Sequence, residues 1–358
     1  MSDKKVLILQ TAIMHYRIPV FNLIGQYPGI TLTVAYEKGM EAKNGKLQLE
    51  TLGFNVVSYE NRKVLGSLKK IRHLRRLISG YDVVIFPGDL HLILPIISLL
   101  LRRKRRKVYF WGIGLSSENS LRESFLKDKI RFLLTDLSDG TILYSSHVAE
   151  IYRKKVLEPR KVFVAHNSIQ VKKFPLSEEK RTKVLSIGTF KKNKCLSDLV
   201  IAFANIIDRI PENVTLDFIG DGEESAVLHD LVERNGLSDR VNFWGRIEED
   251  EKIYAITKNA IVSVSPTQAG LSVLHAMALG CPFLTSVNAI TGGEKFNIKD
   301  NYTGYYYNGQ VSDLEQKLVN IINDEETNRQ IAHNAYDFYH KERGIEQMAQ
   351  SFIELVFK

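Results

Sequence analysis

The sequence predicts an α/β protein of two doubly wound domains, each a parallel sheet with helices on both faces. Three observations lead there. At 358 residues the chain is too long for one ordinary hydrophobic core. Short β-rich apolar runs alternate with stretches of helical periodicity along both halves, which is the pattern of βαβ units. The rhythm restarts after a polar stretch at residues 167–181, containing Pro175, which reads as a linker. The composition, 44% hydrophobic and 25% charged, is ordinary for a globular protein.

Taken in order, residues 6–9 are a buried strand candidate, 18–25 the helix after it, and 30–35 a second strand. Leu65, Leu68, Ile71, Leu74 and Ile78 recur at helical spacing with lysines and arginines between them, which predicts an amphipathic helix. Residues 81–87 and 107–111 read as strands with a helix at 92–101 between them, and 141–144 and 162–165 complete the first set. In the second half, strands are expected at 184–187, 215–219, 241–244, 261–264 and 283–285. Helices are expected at 196–209, 225–235, 249–258 and 272–279. A helical region follows Ser312, including 325–339, and the amphipathic stretch 345–356 is placed to pack back onto the first domain. The expected division is therefore an N-terminal domain at 1–166, the linker at 167–181, a C-terminal domain at 182–338 and a returning helix at 339–358.

The net charge of +8 conceals a split. Residues 1–165 hold 28 Lys+Arg against 14 Asp+Glu, net +14, leaving 21 against 27, net −6, for residues 166–358. The excess is concentrated at 62–76 and 102–107. A strongly basic half points to an anionic counterpart. Two such runs, one beside the apolar helix at 92–101, favour an anionic membrane surface, where each basic residue contributes about 1 kcal/mol. No nucleic-acid recognition motif accompanies them. The two cysteines, Cys195 and Cys281, lack metal-ligand spacing, so a reducing compartment and packing roles are expected. The start of the chain lacks the apolar core of a signal peptide, and the run at 92–101 is about half the ~20 residues that span a bilayer. The expected location is cytoplasmic, peripheral to the inner face of the cytoplasmic membrane.

Residues 184–285 carry the chemistry. A strand ends at Gly188 and is followed by Lys191, Lys192 and Lys194; later, a strand end at Ser265 leads through Gly270 into a helix. A helix start offers unpaired N–H groups and a positive dipole end to an anion. Glycine lets a phosphate approach the backbone closely. Lys192 and Lys194 are the candidates to neutralise a departing diphosphate. The N–H groups of Gly270, Leu271 and Ser272 are candidate phosphate donors, and His275, one turn on, could touch the nucleotide. Gly188, Thr189, Gly220, Gly245, Arg246 and Ile247 lie at strand ends, where ligands gather in open α/β sheets. In the first domain His15, Tyr16 and Arg17 follow the first strand, and Asp89 and His91 follow Pro87-Gly88. These are candidate acceptor, phosphate or acid–base contacts. Plainer roles stand beside each: surface lysines, a turn glycine, a core histidine, and Trp111 as core.

Several motifs in order now carry a resemblance. They are Ile187-Gly188-Thr189-Phe190 with Lys194, Leu216-Asp217-Phe218-Ile219-Gly220-Asp221-Gly222-Glu223, and Leu237-Ser238-Asp239-Arg240-Val241-Asn242-Phe243-Trp244-Gly245. Gly270-Leu271-Ser272-Val273-Leu274 and Ala276-Met277-Ala278-Leu279-Gly280-Cys281-Pro282 follow. Together they resemble the retaining glycosyltransferases of glycosyltransferase family 4. His15-Tyr16-Arg17-Ile18-Pro19 looks like a version from the bacterial surface-polysaccharide branch, and Trp111-Gly112-Ile113-Gly114 takes the place of a Trp-Gly-His-Gly loop. The resemblance implies the GT-B fold: two Rossmann-like domains facing each other across a cleft, acceptor on the first and nucleotide sugar on the second. It implies transfer with retention and without metal or other cofactor, from a donor that is a UDP-sugar by preference, or a GDP- or dTDP-sugar. The acceptor would be a lipid-linked or growing glycan in polysaccharide, lipopolysaccharide or capsule assembly. Glu294 would lie beside the donor, and the diphosphate itself would take the acceptor's proton. The chain departs from the family at its paired glutamates, which fall on Thr267 and His275, at a first-domain histidine, which is Ile113, and at an arginine, which is Thr189. A catalytically degenerate nucleotide-sugar-binding partner and a sugar-nucleotide epimerase stay as alternatives, although an epimerase would need more acid–base groups than are visible.

Overall fold

The computed structural model describes residues 3–40, 52–101, 105–115 and 125–358, so residues 102–104 of the second basic run lie outside the described residues. The chain divides into two compact units. One holds the residues up to Gln170 together with Gly344–Lys358, the other Val171–Arg343.

The N-terminal unit runs β1 (Lys4–Gln10), α1 (Ile18–Gly25), β2 (Ile30–Glu37), β3 (Asn55–Tyr59), β4 (Asn61–Leu65), β5 (Leu68–Ile71) and α2 (Leu74–Leu77). It continues through β6 (Val83–Pro87), α3 (Ile93–Leu100), β7 (Lys107–Gly112), α4 (Phe125–Leu137), β8 (Gly140–Leu143), α5 (Ser146–Arg153) and β9 (Val162–Val164). Seven strands form one sheet in the order β3-β2-β1-β6-β7-β8-β9, every neighbouring pair parallel. Successive side chains of β1 alternate between two cores. Val6 and Ile8 join one cluster, and Leu7 and Leu9 the other. A strand buried on both faces reads as an unbroken apolar run, and this is why β1 is legible from sequence.

The C-terminal helix Ile345–Phe357 belongs to this unit and supplies Met348, Phe352, Ile353 and Val356 to the first cluster. The Phe352 ring meets Trp111 edge to face at 4.9 Å between centroids. Trp111 is 2% exposed and is core, as expected.

One element departs from expectation. The leucine spacing at residues 65–78 predicts a helix, but the chain forms an antiparallel hairpin, β4 with β5, then the one-turn helix α2. Gly66-Ser67 is the reason. Leu65 pairs with Leu68 across this two-residue loop, and Gly66 sits at φ 55°, a conformation that primed hairpin turns require and side chains resist. A local turn signal outweighs an apolar repeat when the repeat is short.

The C-terminal unit runs β10 (Lys183–Ile187), α6 (Leu196–Asn205), β11 (Thr215–Ile219), α7 (Ser225–Arg234), β12 (Val241–Phe243), α8 (Asp250–Thr257) and β13 (Ala260–Val264). Then come α9 (Ser272–Ala278), β14 (Phe283–Ser286), β15 (Gly304–Tyr307), α10 (Val311–Asn323) and α11 (Glu325–Phe338). Its six strands are parallel in the order β12-β11-β10-β13-β14-β15. That is the 3-2-1-4-5-6 order of dinucleotide-binding sheets, with the reversal of strand order between β10 and β13. Cys281 is fully buried and burial pushes its thiol up to about 12, consistent with packing. Cys195 is only half-buried and opens α6 at φ 49°.

Candidate nucleotide site

In an open α/β sheet, ligands bind beyond the carboxyl ends of the strands where the order reverses. In the C-terminal unit that point lies past β10 and β13, and the sequence-predicted residues converge there. Gly188 follows β10 at φ 117° and donates its N–H to the Ile219 carbonyl at 2.8 Å. Gly220 follows β11 at φ 142° and donates to the Gly245 carbonyl at 2.8 Å. A Cβ added to Gly220 would stand 2.1 Å from the Gly188 oxygen, so the row Gly188, Gly220, Gly245 exists only because the first two lack side chains.

Lys194 closes the loop after β10. Its ammonium lies 3.0 Å from where a Gly188 Cβ would stand, and it has no carboxylate partner among the described residues. Burial, with Lys191 adding repulsion, pushes the ammonium from 10.5 down to about 8. A partly buried cation without a counter-ion is costly to hold, and such groups cluster at functional sites.

The turn after β13 is tied to this loop. Thr267 donates its hydroxyl to the Asn193 carbonyl at 2.6 Å, joining the two strand ends that flank the reversal point. Beyond it, the Gly270 carbonyl accepts from Val273 N–H at 3.0 Å and the Leu271 carbonyl from His275 N–H at 3.0 Å. The N–H groups of Gly270, Leu271 and Ser272 have no acceptor among the described residues, and a Cβ on Gly270 would meet nothing within 4 Å. Burial holds the His275 imidazole below its usual value, so at pH 7 it is a neutral hydrogen-bonding group. Replacing Thr267 by valine removes the cross-link while keeping the shape. The expected cost is about 1 kcal/mol, read as a lower denaturation midpoint at unchanged m-value.

Other expected residues have side chains that are exposed or engaged in separate contacts. The Lys192 side chain is exposed, while its main chain is engaged at both ends, the N–H donating to the Glu223 carboxylate at 3.1 Å and the carbonyl accepting from Cys195 N–H at 3.2 Å. Thr189 is exposed and Ile247 half-buried. The Arg246 side chain is 78% exposed and pairs with Glu248 at 2.6 Å. Glu294, read as a loop carboxylate beside the donor, is 5% exposed in a short 3-10 helix. Its carboxylate accepts from Gly292 N–H at 3.0 Å and the Thr291 hydroxyl at 3.3 Å, so it pins its own turn.

In the N-terminal unit a hollow of about 550 Å³ lies at the strand ends, lined among others by Gln10, Asp89, Ile113, Arg131 and Tyr144. Asp89 is exposed and accepts from His91 N–H at 2.9 Å, while His91 points outward, 57% exposed. His15 and Tyr16 stand edge to face at 5.7 Å. Arg17 turns inward. It is 4% exposed, with its guanidinium over the rings of Trp111 at 4.8 Å, Tyr144 at 4.9 Å and Tyr16 at 5.2 Å. It also donates to the Met348 sulfur at 3.4 Å, clamping the returning helix, the structural role that the sequence reading held open beside a ligand contact. Arg131, paired with the buried Asp128, lines the hollow and was not singled out, because an i,i+3 charge pair on a helix reads as a surface feature. Among the described residues no cluster of His, Cys, Asp or Glu has metal-holding geometry, and no helix is long and apolar enough to cross a membrane.

Residues 168–338 match the family described as glycosyl transferases group 1. Over 340 residues the chain is 26% identical to the N-acetyl-alpha-D-glucosaminyl L-malate synthase of Bacillus anthracis, covering 92% of this chain and 81% of that protein. In structure it is similar to Anabaena HepE, solved in complex with UDP, at a TM-score of 0.72 and 17% identity over 99% of both chains. The apo form of the lipopolysaccharide outer core galactosyltransferase WaaB matches at a TM-score of 0.70 and 18% identity, again over 99% of both chains. These likenesses show a two-domain GT-B fold, as the sequence led us to expect.

Proposed function

We propose that the chain is a retaining, metal-independent glycosyltransferase of family 4. It moves a sugar from a nucleoside-diphosphate sugar, UDP by preference over GDP or dTDP, to a lipid-linked or growing glycan. Polysaccharide, lipopolysaccharide or capsule assembly is the setting, with the basic N-terminal half held at the inner face of the cytoplasmic membrane. The observation that carries the reading is Lys194, an ammonium with no counter-ion among the described residues, set against Gly188 at the strand-order reversal. Three N–H groups with no acceptor among the described residues follow the turn that Thr267 ties to the same loop. In the reaction, the bond between the sugar C1 and the diphosphate oxygen breaks and the acceptor oxygen bonds C1 on the same face. The acceptor's proton passes to the departing phosphate. Lys194 and the amides of Gly270, Leu271 and Ser272 balance the charge that builds there. Asp89 and the hollow of the N-terminal unit are assigned to the acceptor, and neutral His275 to a hydrogen bond with the nucleotide. The UDP complex of HepE and the activity named for WaaB support the donor and the glycan class.

A melting-temperature panel with UDP, GDP, dTDP, CMP and ADP tests the reading, followed by incubation with the matching nucleotide sugar and a glycolipid extract. One diphosphate at a hundredfold excess over its Kd should stabilise the fold by about 2.7 kcal/mol. Diphosphate release should then depend on acceptor. Stabilisation without any release points to a binding partner, and a new donor stereoisomer without acceptor points to an epimerase. No response to any nucleotide contradicts the proposal.

A further inference from the structure

The hairpin β4–β5 stands outside the seven-stranded sheet as a separate two-stranded ribbon. Such ribbons are marginal in water unless something supports them. This one carries features that oppose its own stability. Residues 61–76 hold seven Lys and Arg and no acidic residue. The register sets Arg62 opposite Lys70 and Lys63 opposite Lys69, and like charges placed opposite one another repel. Glu37 answers Lys69 at 3.1 Å, but Arg62, Lys63 and Lys70 are exposed and have no carboxylate partner among the described residues. At the tip, Val64 and Leu65 stand 55% and 76% exposed. The hairpin leans on α3 through β5, and the outer side of that helix shows Leu94 and Ile97, with Leu101 just past its end at 81% exposure.

An aliphatic tip ringed by cations without carboxylate partners among the described residues matches a surface that is apolar inside and anionic at its rim. We propose that the hairpin is a membrane-docking finger. Val64 and Leu65 enter the interfacial layer of an anionic bilayer, Arg62, Lys63 and Lys70 meet lipid phosphates, and the exposed side of α3 lies alongside. The lipid phosphates supply the counter-charge that the ribbon lacks. A nucleic acid fits less well, because residues 61–76 contain no Phe, Tyr or Trp on which a base could stack. The proposal names the surface behind the inner-membrane association and rests on that part of the functional reading.

The test is co-sedimentation of the full chain with vesicles of phosphatidylcholine, alone and mixed with phosphatidylglycerol, over a salt series. Binding is expected only with phosphatidylglycerol and should weaken as salt rises. Lys70→Glu should bind about 30-fold more weakly, since two units of charge change at the surface. That substitution also converts the repulsive pair with Arg62 into an attractive one, so lost binding cannot be assigned to a lost hairpin. Val64→Asp/Leu65→Asp should abolish binding, and a tryptophan probe, Leu65→Trp, should shift its emission to the blue on anionic vesicles. Unchanged binding by Lys70→Glu, an unshifted probe, or binding of single-stranded RNA in preference to vesicles overturns the proposal. The melting response to the nucleotide panel is read on the same samples. Vesicle binding without a response to any nucleotide sinks the transferase reading and leaves the finger standing, and the converse sinks only the finger.

Discussion

Lys194→Met is expected to raise the stability of the unliganded protein while lowering sugar transfer about a hundred- to a thousandfold. The two effects share one cause. Burial pushes the ammonium from 10.5 down to about 8 because the folded chain holds that charge at a cost. Between those two values the unfolded chain keeps a proton that the folded chain has released, so stability rises with pH across that window. Below about 8 the penalty is present in full. Methionine removes the charge and fills a similar volume, so at pH 7 the gain should be on the order of 1–3 kcal/mol, shrinking as pH climbs through the same window. Denaturant melts of both proteins across pH read this directly. A variant that is less stable at pH 7 would show that the ammonium has a stabilising partner and is not held ready for a ligand. Stability given up at a site for the sake of activity is a common trade.

Gly220→Ala is expected to destabilise the C-terminal unit by about 4 kcal/mol and to erase the nucleotide response. The new Cβ would stand 2.1 Å from the Gly188 oxygen and 2.9 Å from its carbon, at a φ of 142° that a side chain resists. Both obstacles are main chain, so no rotamer change relieves them. Relief requires moving Gly188, and with it the loop that holds Lys194. Gly270→Ala is the informative contrast. Its Cβ would meet nothing within 4 Å, so stability should stay within about 0.5 kcal/mol of the parent. Diphosphate affinity should still fall, because the methyl group occupies the space through which a phosphate would approach the amides. Equal stability loss in the two variants would contradict this picture.

How much of this was legible in the sequence follows from the range of the interactions involved. Strands such as β6 were readable because burial on both faces leaves an unbroken apolar run, Val83–Pro87, with no need of tertiary knowledge. Gly188 and Lys194 were readable because a strand, a glycine and a lysine a few residues on make a local unit. The hairpin was not, because five apolar residues at helical spacing masked the Gly66-Ser67 turn. β15 was missed because a short run opening on Gly304 resembles a turn. That glycine is required because a Cβ there would stand 2.5 Å from the Phe283 oxygen on the neighbouring strand. Arg17 was placed among ligand-facing groups, although Trp111, Tyr144 and Met348 come from distant parts of the chain to enclose it. Glu294 follows two glycines and was read as lying beside the donor, whereas its burial depends on how Thr291 and Gly292 fold back on it.

The most direct measurement is the calorimetric titration of the protein with UDP in two buffers of different ionisation heat, at a pH just above the Lys194 value of about 8. If that amine meets the diphosphate, binding must restore its proton, so the apparent heat will differ between buffers by more than half a proton's worth, and the difference will vanish in Lys194→Met. Heats that agree between buffers, or a proton uptake that survives in Lys194→Met, would mean that the buried lysine and the diphosphate never meet.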